Sequence, residues 1–318
     1  HCVTGPDEYT TMVSDNYYTN KMAQHNLEWA VKLLKILEDE RPSDWLRLIE
    51  ILQIKDYELD NMSKAAREMV YVYDEEKGIL GQDSSFLSKS LWPEENDKRP
   101  LLLHYHPLTI YRYQILKQAD TALAFYLVPD VDEEVMRRTF YYYEKINTHD
   151  SSLSRCIFSI MAARLGMPEK SLRYFGDSIK LDLMDLYGNT DDGVHTANMA
   201  GSYLAVVFGF GGFRLKEQGI SFAPILPSNW EGYRFKICYE DSHLKVEVLP
   251  HQCIFTLESG SEKQILIYGK EYLLENTLTI PREDCIDAQK DLPSADKDKN
   301  MMYKAVIFDL DGVITHTD

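Results

Sequence analysis

Two carboxylates stand side by side in Gly5-Pro6-Asp7-Glu8-Tyr9, where glycine and proline set a tight turn ahead of a long amphipathic stretch. A carboxyl group held in such a turn against an aromatic ring is disfavoured as a charge, which raises its pKa and suits it to act as a general acid. The same pair also fits an ordinary turn whose negative charge complements a helix N-terminus. Further along, Lys117-Gln118 reads by itself as an exposed helical turn, since lysine and glutamine are both good helix formers. The run His149-Asp150-Ser151-Ser152-Leu153-Ser154 sets hydroxyls and a carboxylate where a helix should open, as caps or beside backbone N–H groups that suit an anion. His195 and Ser202 lie among small residues, a pattern that serves close helix packing as readily as a ligand. His104 and His106 would share one face of a strand, with no third ligand near enough in sequence to complete a metal site. At the far end, an apolar run closes on Asp309 and Asp311.

Positioning such residues requires a frame. Apolar residues at helical spacing predict a helix over 20–37, capped by Thr19 and stopped by Arg41-Pro42, and further helices over 43–62, 108–127, 131–147, 152–165 and 169–186. On that reading Lys117 and Gln118 fall late in a helix or at its end. Helices joined by short loops pack antiparallel, as in a bundle or a helical barrel. Beyond Gly219 the period shortens to two in 234–239, 244–248, 253–257 and 264–268, which predicts an antiparallel β-domain. The expected organisation is helical over 1–218 and β over 219–282, followed by a charged linker over 283–300 and the truncated start of an α/β domain over 301–318.

With 44% apolar residues the chain can bury a sizeable core. Its net charge of −17, without long like-charged blocks, argues against nucleic acid and anionic membranes as partners. No stretch approaches the ~18 apolar residues of a membrane helix, and no basic-then-apolar leader opens the sequence. Five scattered cysteines, none in a C-x-x-C pair, give neither a zinc pattern nor a disulfide framework, so a reducing compartment, the cytoplasm, is expected. The opening His1-Cys2-Val3-Thr4 reads as the middle of a longer chain, and an N-terminal truncation is expected.

The segment Val3-Thr4-Gly5-Pro6-Asp7-Glu8-Tyr9, followed by Asp15-Asn16-Tyr17-Tyr18-Thr19-Asn20, resembles the catalytic-acid segment of glycoside hydrolase family 65 phosphorylases of the maltose, trehalose, kojibiose and nigerose type. The resemblance covers roughly residues 1–282 through several separated motifs in the expected order. It implies the C-terminal part of an (α/α)6 barrel followed by a small antiparallel β-domain, a mainly α fold. It also implies Glu8 as general acid, Lys117 and Gln118 as glucosyl-binding residues, and His195, Ser202, Ser151 and Ser152 around phosphate. The family's N-terminal β-sandwich, early barrel helices and a sugar-binding Trp-Asp pair would lie outside this chain, and the whole protein would be a homodimer. Where many relatives have Gly-Gly-Thr followed by Trp, this chain has Ala200-Gly201-Ser202-Tyr203, so the pocket wall and the substrate preference are expected to differ. The run from Met302 to Val313 resembles the opening of a β-phosphoglucomutase of the haloacid dehalogenase superfamily. In that family the residue matching Asp309 is phosphorylated and the one matching Asp311 is the acid and base; magnesium would be needed only by a complete domain.

The activity implied is inverting phosphorolysis of an α-linked glucose disaccharide, giving β-glucose 1-phosphate and a sugar acceptor. An inverting hydrolase uses one carboxylic acid to protonate the leaving oxygen and a second carboxylate to activate water. A phosphorylase needs only the first, because phosphate is itself an anionic nucleophile that has to be held in line. The expected partners are therefore a disaccharide and inorganic phosphate, with no metal and no organic cofactor. Two other readings stay open. One is a hydrolase of the same fold, in which Asp120, Asp150, Asp191 or Asp192 faces the anomeric carbon; the other is a non-catalytic carbohydrate-binding fragment, inactive alone because part of a barrel exposes apolar helix faces.

Overall fold

The computed structural model describes residues 1–93, 98–216 and 219–282. The 283–300 linker and the run bearing Asp309 and Asp311 lie outside the described residues. The chain divides into two compact units, one spanning His1–Ser154 and the other beginning at Arg155. This division by compactness falls within the helical region, and the core of the second unit gives the reason below.

In the first unit Val3 and Val13 exchange two backbone hydrogen bonds, of 3.0 and 2.9 Å, which close residues 4–12 into a loop. Helix α1 (Tyr17–Glu40) follows; its cap is Asn16, whose side-chain oxygen accepts from the backbone of Thr19 at 2.9 Å, so Thr19 belongs to the first turn. The single helix expected over 43–62 is two, α2 (Pro42–Leu52) and α3 (Asp56–Arg67). Gln53 takes a left-handed conformation between them, and the Glu58 carboxylate restarts the helix by accepting the Lys55 N–H at 2.7 Å.

Strands β1 (Tyr73–Asp74) and β2 (Ile79–Leu80) form a short antiparallel pair. Strand β3 (Ser90–Leu91), helix α4 (Pro107–Ile110), strand β4 (Tyr113–Gln114) and helices α5 (Thr121–Leu127) and α6 (Glu133–Ile146) complete the unit, with β3 and β4 parallel. The helix expected over 108–127 is therefore broken, and Lys117 and Gln118 lie on an extended segment. Leu116 donates to the Ile146 carbonyl at 3.0 Å and accepts from Thr148 at 2.8 Å, which draws the backbone toward the chain leaving α6. Groups committed in that way are not available for helical i→i−4 bonds. His104 and His106 are likewise not on a strand: His106 caps α4, its Nδ1 accepting from the Leu108 N–H at 3.2 Å.

The second unit contains α7 (Ser154–Arg164) from Arg155 onward, α8 (Pro168–Lys180), α9 (Thr196–Leu204) and a π-helical turn over Ala205–Phe210. Gly201 allows α9 to lie against α7, since a Cβ there would sit 2.6 Å from Cys156 Sγ. Eight strands follow among the described residues: β5 (Arg214–Lys216), β6 (Gly219–Phe222), β7 (Tyr233–Tyr239), β8 (Ser242–Val248), β9 (Gln252–Ser259), β10 (Lys263–Ile267), β11 (Lys270–Leu274) and β12 (Thr277–Pro281). They form two sheets, ordered β11-β10-β6-β5 and β12-β9-β8-β7. Alternate residues of β7 (Tyr233, Phe235, Ile237) are buried while those between them face solvent, as the period of two predicts. The sheets meet at Phe222 and Phe255, whose rings lie 5.1 Å apart.

Within these two sheets every pairing is antiparallel as expected except β6 with β10, which run parallel because the chain passes through the other sheet between them. Phe175 of α8, Phe210, Trp230 and Tyr233 of β7 form one aromatic cluster with ring centroids 4.9 to 6.2 Å apart. The last helices and the sheets of this unit therefore share a core, which explains why compactness divides the chain before α8. None of the described helices is long and apolar enough to cross a membrane.

Candidate active site

Glu8 lies in the loop that Val3 and Val13 close. Its neighbours Asp7 and Tyr9 point inward and are fully buried, while the Glu8 side chain is 51% exposed. The Tyr9 ring packs on Leu101, Ile110 and Ile115. Its hydroxyl donates to Asp150 Oδ2 at 2.5 Å and accepts from the Leu101 N–H at 2.9 Å. Burial and the adjacent Asp150 carboxylate push this phenol above the usual tyrosine range.

Asp7 joins the loop to two distant segments. Its Oδ1 accepts from the backbone of Lys117 at 2.8 Å and of Tyr9 at 3.3 Å, and its Oδ2 accepts from Gln82 Nε2 at 3.1 Å. The Asp7 N–H in turn donates to Asp120 Oδ2 at 3.3 Å, and both Asp120 oxygens accept from Asn16 Nδ2 at 3.2 Å. Gly5 permits this approach, for a Cβ there would lie 2.4 Å from Asp120 Oδ2 and 2.5 Å from Asn16 Nδ2. Burial pushes Asp7 up to about 6, and burial together with the nearby Asp7 pushes Asp120 up to about 8. The carboxyl group that the turn buries is thus Asp7 and not Glu8, because the Tyr9 ring turns into the apolar cluster and leaves Glu8 facing outward.

Opposite Glu8 stands Lys117, its Nζ 2.5 Å from Glu8 Oε2. Gln118 donates from Nε2 to the Pro6 carbonyl, and its Oε1 is buried without a hydrogen-bond partner among the described residues. Residues 109 positions apart in sequence are therefore brought together at one place. Ser151 and Ser152 precede α7 and follow Asp150, which Tyr9 ties to the same loop; Ser151 Oγ accepts from the Leu153 N–H at 3.2 Å. Asp7, Asp120, Asn16 and Gln82 escaped the sequence reading as builders of the site. Nothing local signals them, since Asn16 and Asp120 are 104 residues apart and Gln82 and Asp7 are 75 apart.

His195 and Ser202 belong to the second unit. Asp182 holds the histidine doubly, accepting from His195 Nδ1 at 2.5 Å and from its backbone N–H at 2.9 Å, and these contacts keep the Asp182 carboxyl below its ordinary range. His195 Nε2 lies 3.4 Å from Asn189 Nδ2. Ser202 is buried, its hydroxyl donating to the Asn198 carbonyl at 2.9 Å and lying 3.0 Å from Ser178 Oγ. Asp191 and Asp192 sit in an exposed single turn. Among the described residues no group of three or more His, Cys, Asp or Glu side chains could hold a metal ion.

The sequence matches the family description "Glycosyl hydrolase family 65 central catalytic domain" over residues 1–204 and "Glycosyl hydrolase family 65, C-terminal domain" over 213–274. The chain belongs to glycosyl hydrolase family 65. Among family relatives, an alpha,alpha-trehalose phosphorylase of Geobacillus stearothermophilus is 50% identical over 276 residues, 86% of this chain and 36% of that protein. A maltose phosphorylase of Bacillus subtilis is 34% identical over 279 residues, with the same shares covered. A solved structure from the human microbiome, provisionally described as a kojibiose phosphorylase, superposes with a TM-score of 0.79 at 31% identity, covering 89% of this chain and 38% of its own. The chain spans about a third of the length of the curated relatives it matches. The part matched to the family's catalytic domain takes in every candidate site residue from Glu8 to Ser202.

Proposed function

We propose that this chain carries the acid-bearing part of an inverting α-glucoside phosphorylase. Phosphate attacks the anomeric carbon of an α-linked glucose disaccharide, the glycosidic C–O bond breaks with inversion, and β-glucose 1-phosphate and a sugar acceptor leave. Glu8 gives its proton to the departing oxygen while Lys117 and Gln118 orient the glucosyl ring. His195, held in orientation by Asp182, and Ser202 are assigned to phosphate, as are Ser151 and Ser152; Ser202 must first turn its hydroxyl from the Asn198 carbonyl. No cofactor enters the scheme, and the whole protein is taken to be a cytoplasmic homodimer.

The observation that carries this reading is the convergence of Glu8, Lys117 and Gln118 on one loop. The names of the relatives favour phosphorolysis, and so does the state of two carboxylates a hydrolase could have used. Asp120 is buried behind the loop on Asn16, and Asp150 is engaged by Tyr9 and Leu101, so neither is free to activate water.

The test is release of β-glucose 1-phosphate by the whole protein from trehalose, maltose, kojibiose and nigerose, with and without phosphate, alongside Glu8→Gln. Release that needs phosphate and is abolished in the variant is expected. Equal release of glucose without phosphate would overturn the reading in favour of a hydrolase, and no turnover of any disaccharide would favour the binding fragment.

A further inference from the structure

The loop that carries Glu8 and the segment that carries Lys117 meet through a layer of buried polar groups beneath them. Asp7 occupies its centre, with neutral hydrogen-bond partners that include the backbone N–H groups of Lys117, Gln118 and Tyr9 and the amide of Gln82. Asp120 lies below, taking the Asp7 N–H and the Asn16 amide, and Asn16 also donates to the Gln82 carbonyl at 3.2 Å. The same Asn16 caps α1. Burying two carboxyl groups that accept hydrogen bonds from amides and not from a cationic side chain is unfavourable, and an apolar pair of the same volume would pack at lower cost. What the carboxyl groups supply is direction: between them their oxygens accept from the N–H groups of Lys117, Tyr9 and Asp7 and from the amides of Gln82 and Asn16, so the backbones on either side cannot slide past one another. The proton donor is one residue from Asp7, and the Lys117 N–H that Asp7 holds belongs to the residue whose ammonium faces Glu8.

We propose that Asp7 and Asp120 are positioning residues for the proton transfer: Asp7 registers the turn bearing Glu8 against Lys117, and Asp120 with Asn16 holds that turn from beneath. The inference rests on Glu8 being the acid and adds groups that never touch the sugar. A displacement of about 1 Å at reacting groups is enough to cost roughly 100-fold in rate, so the hydrogen bonds to Asp7 and Asp120 have kinetic weight.

The test compares two donors in the whole protein, each with inorganic phosphate: the disaccharide that the unaltered protein uses best, and α-glucosyl fluoride. Fluoride leaves with little help from a proton, so a fault confined to acid positioning spares the second donor. Asp7→Ala should lower kcat on the disaccharide by roughly 100-fold and on the fluoride by less than about fivefold. Asp7→Asn keeps an oxygen for the Lys117 N–H but loses the charge and presents an amide to Gln82; it should lose about tenfold on the disaccharide alone. It also keeps the test decisive if the alanine variant does not fold. Asp120→Asn should act in the same sense with a smaller loss.

Equal losses on both donors would overturn the proposal and leave Asp7 a purely structural residue; so would an undiminished disaccharide rate in Asp7→Ala. Glu8→Gln is the internal reference. If it does not spare the fluoride, the assignment of the acid fails; if it does while the Asp7 variants do not, the positioning role alone fails.

Discussion

In the first unit the loop bearing Glu8 is fixed by partners 75 to 113 residues away, most of them buried. In the second, His195 is fixed by Asp182, thirteen residues before it, where both side chains retain some exposure. Contacts assembled from distant segments exist only when the whole unit is folded, and being buried they are little affected by salt. A local pair at the surface forms with its own stretch of chain and is weakened by screening. The difference separates two kinds of perturbation: damage around Asp7 should reach both stability and chemistry, whereas damage around Asp182 should reach phosphate binding and little else.

The largest effect tests the first half of that contrast. Glu8→Gln should lower disaccharide turnover by about 100- to 10,000-fold without lowering the melting temperature, since the side chain is half exposed. A matching fall in stability would mean that Glu8 holds the loop and is not simply carried by it. Next, Gly5→Ala forces a methyl group onto Asp120 and Asn16 and should cost about 1–3 kcal/mol, with turnover falling alongside. An unchanged melting curve would show that the loop is not seated on that pair.

The third effect is on pH dependence. Folding raises the pKa of Asp7 and Asp120 above the ordinary 3.8, so the fold favours their protonated forms. The stability this contributes is complete below 3.8 and is lost as pH climbs through about 6 for Asp7 and about 8 for Asp120. The groups facing the pair are Asp83, Lys89, whose ammonium burial drives down, and Tyr143, whose phenol burial and Asp120 drive up; Glu8 and Lys117 border it above. Melting measured from pH 5 to pH 9 should therefore decline, and Asp120→Asn should flatten the upper part of the decline. The smallest effect belongs to the second unit. Asp182→Asn should raise the KM for phosphate by roughly tenfold, equivalent to about 1.4 kcal/mol, with melting almost unaltered and the difference shrinking in high salt.

What the sequence reveals follows the range of the forces involved. The helix after Asn16 and the alternation in β7 are legible because each buries one face of a single element. The break at Lys117 is not, because Leu116 is recruited by residues near Asn147, and intrinsic preference for a helix carries no information about such a partner. Alternation in β6 and β10 gives their inner faces but not their relative direction, so the parallel pairing also stays hidden. Glu8, Lys117 and Gln118 can be singled out through the resemblance to the family, and the fold brings the three together. The tier of Asp7, Asp120, Asn16 and Gln82 becomes visible only when chain segments far apart are set side by side.

The route of the chain through the two sheets carries one more consequence. It crosses between them three times, from β6 to β7, from β9 to β10 and from β11 to β12. As the polypeptide leaves the ribosome, β6 must wait about forty residues before β10 arrives to cover its open edge. Neither sheet is an unbroken stretch of gene, so neither can be transplanted alone; because Phe175 and Phe210 share their core, recombination points that respect the architecture lie before α7 or after β12. Amide protection against deuterium should likewise appear in both sheets within a single kinetic phase.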